Sequence, residues 1–158
     1  MSSIPPQLLR VADRLRRIVW RVYGPRTIGI RGIVVDERGH VLLVRHSYGP
    51  PTWHLPGGGV KRRESLLEAL GRELREEVGV TVTGRPELHG VFSNMTEGKS
   101  DHITVFVVRQ WRGAEADSAE IDSARFFDPA TLPDEVSPGT RRRLDEWHRG
   151  DAPAGFSW

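Results

Sequence analysis

Apolar residues recur along this chain with two different periods, and the change between them divides it. In the first 25 residues Leu8, Val11, Leu15, Ile18 and Val22 return every three or four positions, with Arg10, Arg14, Arg17 and Arg21 on the other side. That is the period of an amphipathic helix, opened here by Pro5-Pro6 and closed by Gly24-Pro25. From Thr27 the pattern becomes that of strands. Residues 28–35 and 41–45 flank Asp36-Glu37-Arg38-Gly39, a turn sequence that predicts a hairpin. Tyr48-Gly49-Pro50-Pro51 reads as a loop, and Trp53-His54-Leu55-Pro56 leads into the glycines Gly57, Gly58 and Gly59.

A helical period returns over residues 65–78, where Leu67, Leu70, Leu74 and Val78 form one apolar stripe. Ser65 and Glu68 have the spacing of a capping box, and Gly79 stands where a helix ends in a left-handed turn. Strands are predicted at 80–82, 87–92 and 102–111, with a polar loop over 93–100 and a mobile connection over 113–123. Residues 137–149 read as a last helix, with Pro138 in its first turn. This order predicts an α/β (α+β) fold, with a mixed sheet clasped between helices. The expected organisation is an N-terminal helix over 1–25, a main domain over 26–150 and a short tail over 151–158.

The polar residues of the middle helix carry the chemistry. Glu73, Glu76 and Glu77 share a face. Counting from Leu66 at about 100° per residue, the apolar stripe spans roughly 0° to 120°, and Glu77, Glu73 and Glu76 fall near 20°, 340° and 280°. They therefore border the buried side, where like charges repel and are desolvated unless a cation compensates. Hard divalent ions with oxygen ligands are the natural compensation. The competing reading is a solvated charged face paired with neighbouring arginines.

Composition narrows the classes. The 158 residues suit one domain, with a net charge of +2. The pI near 9.5 reflects arginine standing in for lysine, since Lys61 and Lys99 are the two lysines. Such dispersed charge predicts no specific nucleic-acid partner. With no cysteine there is no disulfide, thiolate metal site or cysteine nucleophile, which suits the cytoplasm. No apolar run approaches a membrane span, and the first residues lack the apolar core of a signal peptide.

Gly58, Glu64, Arg72, Glu73, Glu76, Glu77 and Gly79, with apolar Leu74 and Val80, occur at spacings that resemble the Nudix family signature G-x5-E-x7-R-E-U-x-E-E-x-G-U, where U is apolar. The resemblance implies an α/β/α sandwich from about Thr27 to Arg149, preceded by the extra N-terminal helix. It also implies cleavage of a diphosphate in a nucleoside diphosphate joined to a group X, assisted by Mg²⁺, with Mn²⁺ as the alternative. The implied metal ligands are Glu73, Glu76, Glu77 and the Gly57 carbonyl. Arg72 and Glu64 are implied to pair and orient the helix. Outside the box, Glu120 is the first candidate for a further acidic ligand or base, ahead of Glu115 and Glu97. Arg45 and His46, at a strand end, are candidate phosphate contacts or surface charge. Trp53 and His54 are placed either to stack on a base or, for Trp53, in the core. Arg31 interrupts an apolar strand as a snorkelling side chain or an inward phosphate ligand, and His102 reads as structural. Lys61, Arg62 and Arg63 replace the acidic, proline and glycine residues frequent in the family, which gives the box a basic turn open to a phosphate-rich ligand. Family markers for ADP-ribose and dinucleoside polyphosphate hydrolases are missing, so the choice of X stays open. Two rivals stand beside hydrolysis. Isopentenyl diphosphate isomerase, of related fold, is expected to need an active-site cysteine; a nucleotide-sensing, non-catalytic module usually loses box glutamates. The N-terminal helix packs on the domain, on a second subunit in a homodimer, or through residues 5–22 on a membrane surface.

Overall fold

A computed structural model describes residues 26–47, 50–95, 100–114, 120–152 and 157–158. The helix predicted over residues 1–25, and the carboxylates Glu97 and Glu115, lie outside the described residues. Strand β1 (Arg26–Val34) runs parallel to β6 (Ser100–Val108), which pairs antiparallel with β5 (Glu87–Asn94), giving a mixed sheet in the order β1-β6-β5. A second, antiparallel sheet has the order β3-β2-β8, from β2 (Val41–His46), β3 (Trp53–His54) and β8 (Ile121–Phe127). Two short strands, β4 (Val80–Val82) and β7 (Trp111–Gly113), pair with each other. Helix α1 (Leu66–Val78) precedes β4, and α2 (Pro138–Arg149) follows the 3-10 turn Pro129–Thr131.

Alternation along the strands sorts side chains to two opposite faces. Ile30 and Val34 of β1, Leu42 and Val44 of β2, and Phe106 and Val108 of β6 pack with Ala69, Leu70, Leu74 and Val78 of α1. Their neighbours Ile33, Val41, Leu43, Ile103, Val105 and Val107 point the other way and pack with Trp53, Phe92, Val136 and Leu144 of α2. A helix thus covers each side, the sandwich the pattern predicted. At Gly32 a Cβ would sit 3.2 Å from Leu74 Cδ2, so the missing side chain lets α1 settle onto β1.

Both helices end as read. Ser65 and Glu68 exchange side-chain and backbone hydrogen bonds at the start of α1, and Gly79 takes φ 66° at its end. Leu67, however, is exposed. Its phase matches the buried arc, but every buried residue of α1 lies at Ala69 or later, and the first turn packs little.

The predicted hairpin does not form. Asp36 closes the turn, its Oδ1 accepting from the N–H of Arg38 (2.9 Å) and of His40 (2.7 Å). Only Val35 and Val41 bridge beyond it. The strands then separate because both edges of β1 are taken, one by β6 and the other by the glycine loop. Ile30 N–H donates to Gly58 O (2.8 Å), Gly32 N–H to Pro56 O (2.9 Å) and Val60 N–H to Ile28 O (2.9 Å). The strand read over 102–111 is also divided. Gln110 O accepts from Thr83 N–H and Gly84 N–H, which turns the chain so that Trp111 pairs with Val82. Strand β5 runs two residues past the predicted loop boundary, to Asn94. No helix among the described residues is long and apolar enough to cross a membrane.

Candidate active site

The glycine loop and α1 meet at contact distance. Gly57 has φ 134°, and a Cβ there would lie 2.2 Å from Ile30 O; no other residue fits. At Gly58 a Cβ would lie 2.5 Å from Glu73 Oε1, so the bare backbone is what lets this carboxylate approach. Gly57 N–H donates to Glu77 Oε2 (2.7 Å), and Arg31 Nη1 donates to Gly57 O. Arg31 therefore turns onto the loop and fixes the carbonyl named as a candidate ligand.

The three box glutamates are graded in depth as their helical phase predicts. Glu77 is 8% exposed, the Glu73 side chain 14% and the Glu76 side chain 56%. Burial pushes the Glu77 carboxyl up to about 7, against the pull of the Gly57 N–H and the Arg31 charge; the charges of Glu73 and Glu120 push it further up. Arg72 ties the surroundings together. Its Nε and Nη2 donate to both oxygens of Glu64 (2.7 and 2.9 Å), and Nη2 also donates to Gly59 O (3.0 Å). Nη1 donates to Glu73 Oε1 (2.7 Å) and Glu76 Oε2 (3.2 Å). Arg72 and the Lys61 N–H hold the Glu64 carboxyl down to about 2, and the carboxylates raise the Arg72 pKa in turn.

Across the loop the structure gathers Arg31, His46, His54 and Glu120. Ser47 N–H donates to Glu120 O (3.0 Å), and the Glu120 charge reaches both Glu77 and His46. The imidazoles of His46 and His54 lie 5.8 Å apart. Burial and the Arg31 charge lower the pKa of each, and His46 also lowers that of His54. His54 Nε2 lies 2.7 Å from Thr52 Oγ1.

Two candidate substrate contacts already have partners within the protein, in keeping with the alternative reading of each. Trp53 is buried in the core on the α2 side, edge-on to Phe127 at 4.9 Å, rather than open to a base. Arg45 is paired with Asp122 (2.6 Å) and lies 5.3 Å from the centre of the Trp53 ring. Asp122 carried no sequence signal, because its pairing depends on the register of β2 on β8, which shifts at Arg45 and His46. His102 Nδ1 lies 3.3 Å from Ser93 Oγ, a contact between paired strands.

Among the described residues no three Asp, Glu or His side chains already converge on a single point. Arg72 holds Glu73 and Glu76 to one side, while Glu77 stays on the loop. The donor set nonetheless suits a hard cation: Glu77 is a buried carboxylate pressed by the charges of Glu73 and Glu120, beside a backbone carbonyl. A cavity of about 670 Å³ lies away from these groups, beyond the end of β1, and is lined by Arg38, Arg109, Trp111 and Arg112.

Comparison with known proteins agrees with this geometry. Residues 25–148 match the NUDIX domain. A MutT-like protein of Streptomyces ambofaciens is 34% identical over 111 residues, 70% of this chain and 67% of its own length. A Bacillus subtilis (strain 168) protein, provisionally named an 8-oxo-dGTP diphosphatase, is 31% identical over 124 residues, 78% of this chain and 81% of its own. The crystal structure of the MutT protein of Methanosarcina mazei Go1 superposes with a TM-score of 0.70 at 25% identity, covering 80% of this chain and 95% of that one. With a family match that spans most of the sequence, and with the box helix and glycine loop joined as described, the chain belongs to the MutT-like Nudix hydrolases.

Proposed function

We propose that this Nudix hydrolase cleaves the diphosphate linkage of a nucleoside diphosphate derivative, with Mg²⁺ or Mn²⁺ as cofactor and water as the attacking group. The family generally uses divalent cations and acts on nucleotide-type small molecules. The observation that carries the reading is Glu77: a buried carboxylate bonded to the Gly57 N–H, beside two further carboxylates that raise its pKa. Glu73, Glu76, Glu77, the Gly57 carbonyl and Glu120 would hold the cation, which supplies Lewis-acid neutralisation of the phosphate oxygens. Arg72 and Glu64 position Glu73 and Glu76. Arg31 keeps the glycine loop in place and presents positive charge to the same region. A box glutamate or Glu120 accepts the proton of the attacking water. His54, His46 and Arg45 line the approach, and Arg45 can serve a phosphate only by leaving Asp122.

The test is a screen of nucleotide sugars, dinucleoside polyphosphates, ADP-ribose and oxidised nucleoside triphosphates, with and without added Mg²⁺. A phosphomonoester product that disappears with chelator is expected. Glu76→Gln and Glu77→Gln should each lower kcat by several orders of magnitude in protein that remains folded by circular dichroism. Near-wild-type turnover of either variant at saturating metal would refute this assignment.

A further inference from the structure

The turn before α1 breaks a local rule. Among the described residues two non-glycine residues have positive φ, Ala114 and Arg63, the latter at 64°. Glycine adopts that conformation without steric cost and arginine does not. Lys61, Arg62 and Arg63 are all exposed, and none of their side chains makes a hydrogen bond or ion pair. They are nonetheless beside an acidic cluster. Lys61 N–H donates to Glu64 Oε2 (2.8 Å), and Glu64 shares Arg72 with Glu73 and Glu76. Gly59, two residues before Lys61, also accepts from Arg72. The Lys61 charge helps to keep Glu64 ionised, but no side chain of the turn is hydrogen-bonded to a glutamate as Arg72 is. The cations stay in solvent, on a strained turn fixed to the rim of the site. The turn itself is closed by Glu64 N–H donating to Lys61 O (3.2 Å), so the left-handed backbone has a structural task; what the fold does not hold in place is the three basic side chains.

We propose that Lys61, Arg62 and Arg63 form an anion subsite that selects nucleoside diphosphate derivatives whose X group carries negative charge over those whose X group is neutral. The inference rests on the hydrolase reading above. Five glutamates (Glu64, Glu73, Glu76, Glu77 and Glu120) face two arginines there, so a highly charged substrate meets repulsion on approach. Three exposed cations beside them, held by no hydrogen bond, offset that repulsion where the charge of X extends past the scissile diphosphate.

The test compares kcat/KM for a nucleoside triphosphate with kcat/KM for a nucleoside diphosphate hexose, under saturating Mg²⁺. In the triple variant Lys61→Gln, Arg62→Gln, Arg63→Asn the charges are gone, while asparagine tolerates the left-handed turn. The ratio of the two values is expected to fall roughly tenfold, carried by KM of the triphosphate, with no loss of Tm. Restoring positive charge through Arg62→Lys and Arg63→Lys should recover most of the ratio. In wild type, raising salt to about 0.5 M should shrink it by screening. A ratio unchanged in the triple variant, or an equal loss for both substrates, overturns the subsite while leaving hydrolysis intact. Failure of wild type to cleave either compound with metal present removes the proposed function, and the subsite with it.

Discussion

Glu77 is buried, accepts one backbone N–H and sits within reach of two other carboxylates, so its charge is disfavoured wherever no cation stands beside it. Its folded pKa near 7 lies above the ordinary 4.5. The folded state then binds this proton more tightly than the unfolded chain, and the associated stability is present in full below about pH 4.5. It is lost as pH rises through about 7, an effect on the order of 3 kcal/mol. Urea unfolding in chelator should show that loss, and Glu77→Gln should flatten it; equal pH dependence in the two proteins would mean Glu77 is not the group. Arg72 poses a different test. Its guanidinium reaches Glu64, Glu73, Glu76 and Gly59 O at once, which an ammonium cannot do. Arg72→Lys should therefore lower kcat about a hundredfold or more despite the conserved charge, and steady-state kinetics at saturating metal will check this.

At the scale of elements, the glycine loop acts as a strand added to β1, and its lack of side chains sets how closely α1 can approach. Gly57→Ala places a Cβ against Ile30 O in a backbone conformation that alanine avoids. It should destabilise the fold by about 3 kcal/mol or more in urea titration. Gly58→Ala instead meets the flexible end of Glu73 at 2.5 Å. It should leave most of the stability in place and lower kcat strongly, because the carboxylate must move. The contrast separates a position whose backbone shape the fold requires from a neighbour that only makes room for Glu73. Ser65→Ala removes one half of the capping box and should cost about 1 kcal/mol.

Across the whole molecule, the two faces of the sandwich carry separate duties. The α1 face supports the glutamates, while α2 holds a buried charged group with no part in the proposed chemistry. Arg143 lies with its guanidinium 3.9 Å from the centre of the Phe92 ring, donates to Glu146 Oε1 (2.8 Å) and to Ser157 O (3.2 Å). His89 Nε2 lies 3.7 Å from Glu146 Oε2, and burial lowers the His89 pKa. Ser157 and Trp158 close this side, Trp158 N–H donating to Ser93 O (3.0 Å) and its ring filling the space left by Gly139. Glu146→Ala strands the Arg143 charge and should cost about 3–5 kcal/mol in urea unfolding. The kcat/KM of the protein that stays folded should not change; a catalytic defect matching the stability loss would show that the two faces are coupled.

What the sequence determined alone is whatever a dozen neighbouring residues encode. The capping box, the left-handed Gly79, the depth order of Glu77, Glu73 and Glu76, the assignment to two helices, and the family itself were all legible from spacing. Each depends on helix geometry that is fixed by the local chain. Tertiary structure decided the partners. The edges of β1 went to β6 and to the glycine loop, residues 102–111 split between two sheets, Trp53 went to the core, and Arg45 found Asp122. Backbone donors and acceptors are the same in every strand, so a strand's own residues do not name its neighbour. Packing of distant side chains makes that choice, and here it bound the loop to β1 and so brought Gly57 onto Glu77.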